Sequence, residues 1–231
     1  MLSLVIPCFN EARNLPLLLE RCSALVAKAD VEVIIVDNGS SDETARVLED
    51  ALPRHPGCRS VRVDVNQGYG FGILSGLRAA RGDLLAWTHA DLQTDPLDLL
   101  PGLDLFASHG TGLFVKGRRR GRPFKDVVFT VGMSAFETVL LREPLWDINA
   151  QPTMFSRAFF ETWADPPHDF SLDLYAYYQA RRSRLPVERF PVVFGERAHG
   201  VSHWNVDLRS KWKFIKRTVD FSFELKGRLS Q

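Results

Sequence analysis

Three side chains able to hold a divalent cation fall on alternate residues in the run Thr88-His89-Ala90-Asp91-Leu92-Gln93-Thr94-Asp95. In an extended segment alternate side chains share a face, so this spacing lets His89, Asp91 and Gln93 converge on one ion. Imidazole and oxygen donors suit Mg2+ or Mn2+, ions that commonly also hold the phosphates of a substrate. A cation on the oxygens of a departing diphosphate stabilises the charge accumulating there without moving a proton. The competing readings are a turn carboxylate ahead of Pro96 for Asp91 and a locally bonded rim residue for His89.

The elements that must position these groups alternate regularly. Residues 2–7 (LSLVIP) and 31–36 (VEVIIV) read as buried strands, 59–65 as an alternating strand and 84–88 as a fourth. Between them, Asn10-Glu11 opens a helix carrying Leu15, Leu18, Leu19, Cys22 and Leu25. Ser40 or Ser41 caps a second helix, and the turn Asn66-Gln67-Gly68-Tyr69-Gly70-Phe71-Gly72 leads into a third. This βα alternation predicts a parallel, doubly wound sheet with right-handed crossovers, whose ligands bind at the carboxyl ends of the strands. Pro7, Asp37, Asn66 and His89–Gln93 all fall at such ends. Asp37 closes a strand that is apolar apart from Glu32; it reads as a ligand contact, or as a cap or Asx-turn with Gly39.

The second half is less regular. Helices are expected over 96–107, 124–141, 157–163, 170–182 and 207–229, and strands over 111–116 and 187–194. Residues 148–155 read as irregular or strand, and 116–125 as a basic loop. No internal repeat or linker divides the chain, so a single domain is expected: 1–95 a nucleotide-binding half, 96–206 an acceptor-side half and 207–231 a basic amphipathic helix.

Composition removes several function classes. With 45% hydrophobic residues the 231-residue chain can bury a core, and a net charge of +1 argues against a nucleic-acid binder. Three widely spaced cysteines form no metal pattern and suit a reducing cytoplasm. Neither a signal peptide nor an apolar run long enough to cross a membrane is expected. The glycine turn fails the dinucleotide pattern, because Gly68 and Gly70 are followed by Ile73, and Gly70 and Gly72 by Ser75, where a third glycine is needed.

Five motifs in order carry a resemblance: Leu4-Val5-Ile6-Pro7-Cys8-Phe9-Asn10-Glu11, Val36-Asp37-Asn38-Gly39-Ser40-Ser41-Asp42-Glu43-Thr44, Asn66-Gln67-Gly68, Ala79-Ala80-Arg81-Gly82-Asp83 and Ala90-Asp91-Leu92-Gln93. Together they resemble the family 2 glycosyltransferases, nearest the dolichyl-phosphate mannose synthase and polyprenyl-phosphate glycosyltransferase branch. The resemblance implies the α/β GT-A fold, a Rossmann-like three-layer sandwich with a mostly parallel central sheet. It implies inverting transfer from a nucleotide-sugar donor. Pro7 and Glu11 would line the nucleotide pocket and Asp37 contact the base or ribose. Asp91 and Gln93 match the metal and diphosphate positions, with Mn2+ or Mg2+ as cofactor. Arg197, Ser202 and His203 match a segment closing over the diphosphate, and Arg118 an arginine that meets an acceptor phosphate. Three positions depart from the pattern: His89 replaces the first carboxylate of the usual DxD, Asn38 a second Asp and His203 a Lys.

Lys116, Arg118, Arg119, Arg120, Arg122 and Lys125 form the densest charge cluster. It reads as a solvated loop or as a clamp, with Arg118 and Arg122 foremost, for a phosphate-bearing acceptor or an anionic membrane. The apolar stretch 124–141 beside it suits a cytoplasmic protein resting peripherally on the inner face of a membrane. Transfer to a hydroxyl requires a general base, for which Asp169, Asp173 and Asp147 are candidates; the first two share a face if both are helical, or else cap a helix. An ionised phosphate acceptor needs no base. The preferred expectation is a metal-dependent transferase acting on polyprenyl phosphate. The alternatives are transfer to a saccharide hydroxyl in surface-polysaccharide assembly and a non-catalytic nucleotide-sugar-binding module.

Overall fold

The computed structural model describes residues 1–195 and 208–228. Seven strands form one sheet in the order β3-β2-β1-β4-β6-β5-β7. They are β1 (Leu2–Cys8), β2 (Val31–Asn38), β3 (Cys58–Val63), β4 (Leu84–Trp87), β5 (Phe114–Arg120), β6 (Thr153–Ser156) and β7 (Val187–Val193). β6 alone runs antiparallel, wedged between β4 and β5. Its amino end therefore meets the carboxyl ends of all six others on one rim.

Helices cover both faces, giving three layers. Leu4, Ile6, Val33 and Ile35 pack with α1 (Leu15–Val26), α2 (Thr44–Ala51) and α4 (Leu99–His109). Val5, Ile34, Val36, Trp87 and Phe114 pack with α3 (Tyr69–Ala79) and α7 (Leu172–Arg182), joined by residues of α5 (Phe124–Leu141), α6 (Arg157–Phe160) and α8 (Leu208–Arg228). The central strands β1, β2 and β4 are largely apolar on both faces because both faces are covered, whereas the edge strands β3 and β7 keep exposed positions. No described helix is long and apolar enough to cross a membrane.

Several expected boundaries shift for identifiable reasons. α1 begins at Leu15 rather than at Asn10-Glu11, because Asn10 takes φ 58° and its side chain accepts from Ser41 N–H at 2.9 Å. Ser40 is likewise engaged by Asn10 N–H at 3.0 Å. Neither serine caps α2; that helix starts at Thr44, whose N–H is taken by Asp42. The supposed basic loop is largely strand, since β5 stays in register with β7 as far as Arg120 opposite Val193. α7 begins at Leu172, which leaves Asp169 outside it.

α5 is inverted relative to an ordinary surface helix. Thr130, Ser134, Glu137, Thr138 and Leu141, at helical spacing, turn towards the protein, where the first four make polar contacts. Outward stand Phe124 (81% exposed), Val128 (52%) and Val139 (80%). At its packing with α8, Glu137 is fully buried; one oxygen accepts from the Ser222 hydroxyl at 2.8 Å, and the other has no partner among the described residues.

Burial lifts the Glu137 carboxyl from 4.5 to about 7, with the Ser222 hydrogen bond pulling the other way. Because the folded state then holds the proton more tightly than the unfolded one, stability is present below pH 4.5 and lost as pH rises through about 7. At 1.36 kcal/mol per pH unit the loss amounts to about 3 kcal/mol at most. Denaturant unfolding of Glu137→Gln should match wild type near pH 5 and exceed it at pH 8. A difference that does not change with pH would contradict this account of the α5–α8 contact.

Candidate functional site

The loops after β1 and β2 clasp one another at the rim. Besides the Asn10 contacts, Glu11 N–H donates to Thr44 Oγ1 at 2.9 Å, and the Glu11 carboxylate accepts from the Asn14 amide. Pro7 sits half-buried near the end of β1, opposite Val36. Asp37 is almost wholly buried. Its Oδ1 accepts from Ser40 N–H at 3.0 Å, three residues on rather than the two of the Asx-turn expected with Gly39, while its buried Oδ2 has no partner among the described residues. An unsatisfied buried carboxylate oxygen costs free energy unless something supplies a donor. Asn38 turns away, donating its amide to Gly68 C=O at 2.9 Å.

Beyond Trp87 the chain does not stay extended. It turns at Ala90-Asp91, and Leu92 takes φ 57°. The alternate-residue convergence expected for His89, Asp91 and Gln93 is therefore replaced by a turn: Asp91 Oδ1, buried, accepts from Gln93 N–H at 3.2 Å. Gln93 pairs with the end of β7, its side-chain amide donating to Gly195 C=O at 3.2 Å and its own C=O accepting from Gly195 N–H at 2.8 Å. The His89 ring stacks on Tyr69.

Among the described residues no three His, Cys, Asp or Glu side chains cluster to hold a metal by themselves. The donors near the turn are one carboxylate, one amide and one imidazole. Such a set fits a hard cation whose shell is completed by water and a ligand's phosphates, the usual Mg2+ arrangement.

The two aspartates expected to share a helical face part company. Asp169 accepts from Ser171 N–H at 2.9 Å and forms an ion pair with Arg217 of α8 at 3.3 Å. Asp173, in the first turn of α7, is buried against the sheet and accepts from Trp87 Nε1 at 3.2 Å and Gln151 Nε2 at 2.7 Å. Nearby, Lys116 is completely buried, donating to Thr153 Oγ1 at 2.7 Å, with its ammonium 5.8 Å from the ring centres of Phe114 and Tyr177. Burial brings its pKa down to about 7, the Asp173 charge acting in the opposite sense. Lys116 thus leaves the solvated cluster to which its sequence position assigned it.

Strand geometry also sorts the arginines. Arg118 and Arg120 are exposed, whereas Arg119 and Arg122 converge on Asp147. Burial alone would raise the Asp147 carboxyl; the hydrogen bond and charge of Arg119 overcome it and hold the group below the usual carboxylate range. Both guanidiniums lie over the Phe194 ring, at 5.4 and 5.8 Å. Sequence reading passed over Arg119 and Asp147 as a pair. The available signal is strand alternation, masked by the four charges within residues 116–120. Arg197, Ser202 and His203 lie outside the described residues.

With this geometry in view, comparison with known proteins is decisive for family. Residues 3–162 match the family model for glycosyl transferase family 2. The chain belongs to that family. Curated relatives include the undecaprenyl-phosphate 4-deoxy-4-formamido-L-arabinose transferases of Enterobacter sp. (strain 638), 42% identical over 102 residues, and of Proteus mirabilis (strain HI4320), 39% identical over 124 residues. Those matches cover 42% and 52% of this family 2 chain but 31% and 37% of the relatives, so it spans only about a third of their length.

Solved structures share the fold. Glucosyl-3-phosphoglycerate synthase from Mycobacterium tuberculosis, in complex with Mn2+, UDP-glucose and phosphoglyceric acid, superposes with a TM-score of 0.74 at 20% identity, covering 98% of this chain and 80% of that one. A mannosyltransferase from Pyrobaculum calidifontis, in complex with GDP-Man and Mn2+, gives 0.67 at 20% identity, covering 86% and 58%. The GT-A fold expected from the motifs is therefore present.

Proposed function

We propose that this family 2 chain transfers a sugar, with inversion, from a nucleotide-sugar donor to the phosphate of a polyprenyl-type lipid. The observation that carries the donor side is the buried, unpartnered Asp37 Oδ2 at the carboxyl end of β2, one strand removed from β1 and two from the Asp91 turn after β4. The sheet order reverses between β1 and β4, the place where open α/β sheets bind ligands. Pro7, Glu11 and Asp37 take the nucleoside. Asp91, with Gln93 and His89 as further donors, holds a divalent cation, Mn2+ or Mg2+, which when bound neutralises charge on the departing diphosphate. Arg197, Ser202 and His203 remain assigned to the donor by resemblance alone.

The acceptor side is supported by the relatives' names and by charge. Arg119 and Arg122 place two guanidiniums against one carboxylate, leaving net positive charge on the same rim, with Arg118 exposed beside them. Outward along α5 lies the apolar face described above, flanked by exposed Arg120 and Lys125. An apolar helix face next to basic side chains suits an anionic leaflet, where a lipid phosphate would be presented. Cytoplasmic placement on the inner leaflet follows from that reading.

Asp173 supports a second acceptor. A buried carboxylate beside the end of β4 can serve as general base for a saccharide hydroxyl, whereas an ionised phosphate needs none. Asp169, paired with Arg217, is less available for that role. A non-catalytic nucleotide-sugar-binding module is the remaining alternative, and turnover separates it from both.

Asp91→Asn should lower Mn2+-dependent turnover of a nucleotide sugar about a thousandfold, roughly 4 kcal/mol of barrier. Turnover within about threefold of wild type would remove Asp91 from the reaction, on the same scale. In flotation assays the chain should associate with vesicles containing phosphatidylglycerol, and Val128→Asp/Val139→Asp should abolish that association. Binding unaffected by the double substitution would contradict the membrane-facing role of α5.

A further inference from the structure

The glycine-rich turn is a sequence feature that the transfer leaves without a role, and its first helical residue meets the ring of His89. Tyr69, the first residue of α3, stacks on His89 with ring centres 5.5 Å apart and planes inclined by 27°. Its ring also stacks on Phe170, at 4.4 Å and 9°. His89 precedes Asp91 by two residues and Phe170 precedes Asp173 by three. The three rings therefore bridge the loop after β4 and the segment entering α7.

The backbone around the stack is fitted to hold it. Gly68 takes φ 113°, and a Cβ there would stand 2.4 Å from His168 C=O. A Cβ at Gly70 would stand 2.6 Å from Pro167 C=O. Only glycine at both positions lets the turn lie directly on residues 167–169. Phe71 N–H donates to His168 C=O at 2.9 Å, and the Phe71 and His168 rings meet edge to face at 5.1 Å. From the other side, Asn38 holds Gly68 C=O. The Tyr69 hydroxyl is buried.

We propose that Tyr69 is a positioning residue for the transfer: its ring, held between His89 and Phe170, fixes the Asp91 turn relative to the Asp173 end of α7. Aromatic pairs prefer defined offset or edge-on geometries, so a ring held on both faces restrains sliding and tilting in a way an aliphatic side chain does not. The same stack gives His89 a structural role through its ring face, whatever its ring nitrogens contact. The proposal rests on the glycosyltransferase reading above.

The test pairs transfer kinetics, with UDP-glucose and GDP-mannose as donors and Mn2+ present, with calorimetric titration of UDP and GDP. Tyr69→Leu should lower kcat about a hundredfold, the size expected of a misplacement near 1 Å, with donor KM and nucleoside diphosphate Kd within about threefold of wild type. Tyr69→Phe, which keeps the ring, should recover most of the loss. Phe170→Leu removes the opposite face of the stack and should reproduce the kcat-selective defect if Tyr69→Leu does not fold. Unchanged kcat in the leucine variants overturns the proposal, as does a Tyr69→Phe defect equal to that of Tyr69→Leu, or a loss confined to KM and Kd. A wild-type chain that neither binds UDP or GDP with Mn2+ nor turns over any donor overturns the glycosyltransferase reading, and this proposal with it.

Discussion

The buried carboxylate of Asp173 joins parts of the chain that are far apart in sequence. It accepts from the indole of Trp87 at the end of β4 and from the amide of Gln151 just before β6, while belonging itself to the first turn of α7. A buried carboxylate is tolerated when hydrogen-bond donors satisfy it; removing one partner leaves the desolvation cost exposed. Lys116 on β5 lies nearby, tethered by Thr153 on β6. Trp87 and Thr153 are register partners across β4 and β6. The antiparallel insertion of β6 is what makes this possible, because it brings the start of one strand to the rim where its neighbours end.

From that junction the rim can be followed in both directions. Towards β1 and β2 lie the Asp91 turn and Asp37; towards β5 and β7 lie Lys116, the Arg119–Asp147–Arg122 cluster and Phe194. Gln93 closes the loop by pairing with Gly195, so the end of β7 is tied directly to the turn after β4. Outside this rim, α5 gains little from apolar burial against its own protein, since its inward stripe is mostly polar. Its apolar groups are free to gain that stabilisation from a second apolar phase, which is the physical basis for placing a lipid there.

The first half of the fold was legible because strands buried on both faces write themselves as unbroken apolar runs, and their polar terminators then mark the rim. Asp37 at the end of β2 and Asp91 after β4 stand where that pattern puts them. The second half was less so. Residues 116–120 carry four charges in five positions and read as loop, yet they pair with β7 residue for residue; sheet hydrogen bonding does not depend on side-chain polarity. The depth of Lys116 and the split between exposed Arg118 and ion-paired Arg119 follow from that strand and could not precede it. Asp169 and Asp173 looked equivalent at four-residue spacing, but α7 begins between them, so one bonds the turn and the other the core. His89, Asp91 and Gln93 looked convergent only under the assumption of an extended chain, which the left-handed Leu92 breaks.

Because the proposed function places a nucleotide between β2 and β4, the most direct test is a crystal structure of the chain with UDP or GDP and Mn2+. The nucleoside should lie against Asp37, with the manganese bridging the Asp91 carboxylate and the diphosphate oxygens. Phosphorus atoms found away from Asp91, at the arginine cluster or elsewhere, would show that the rim is organised for a different ligand.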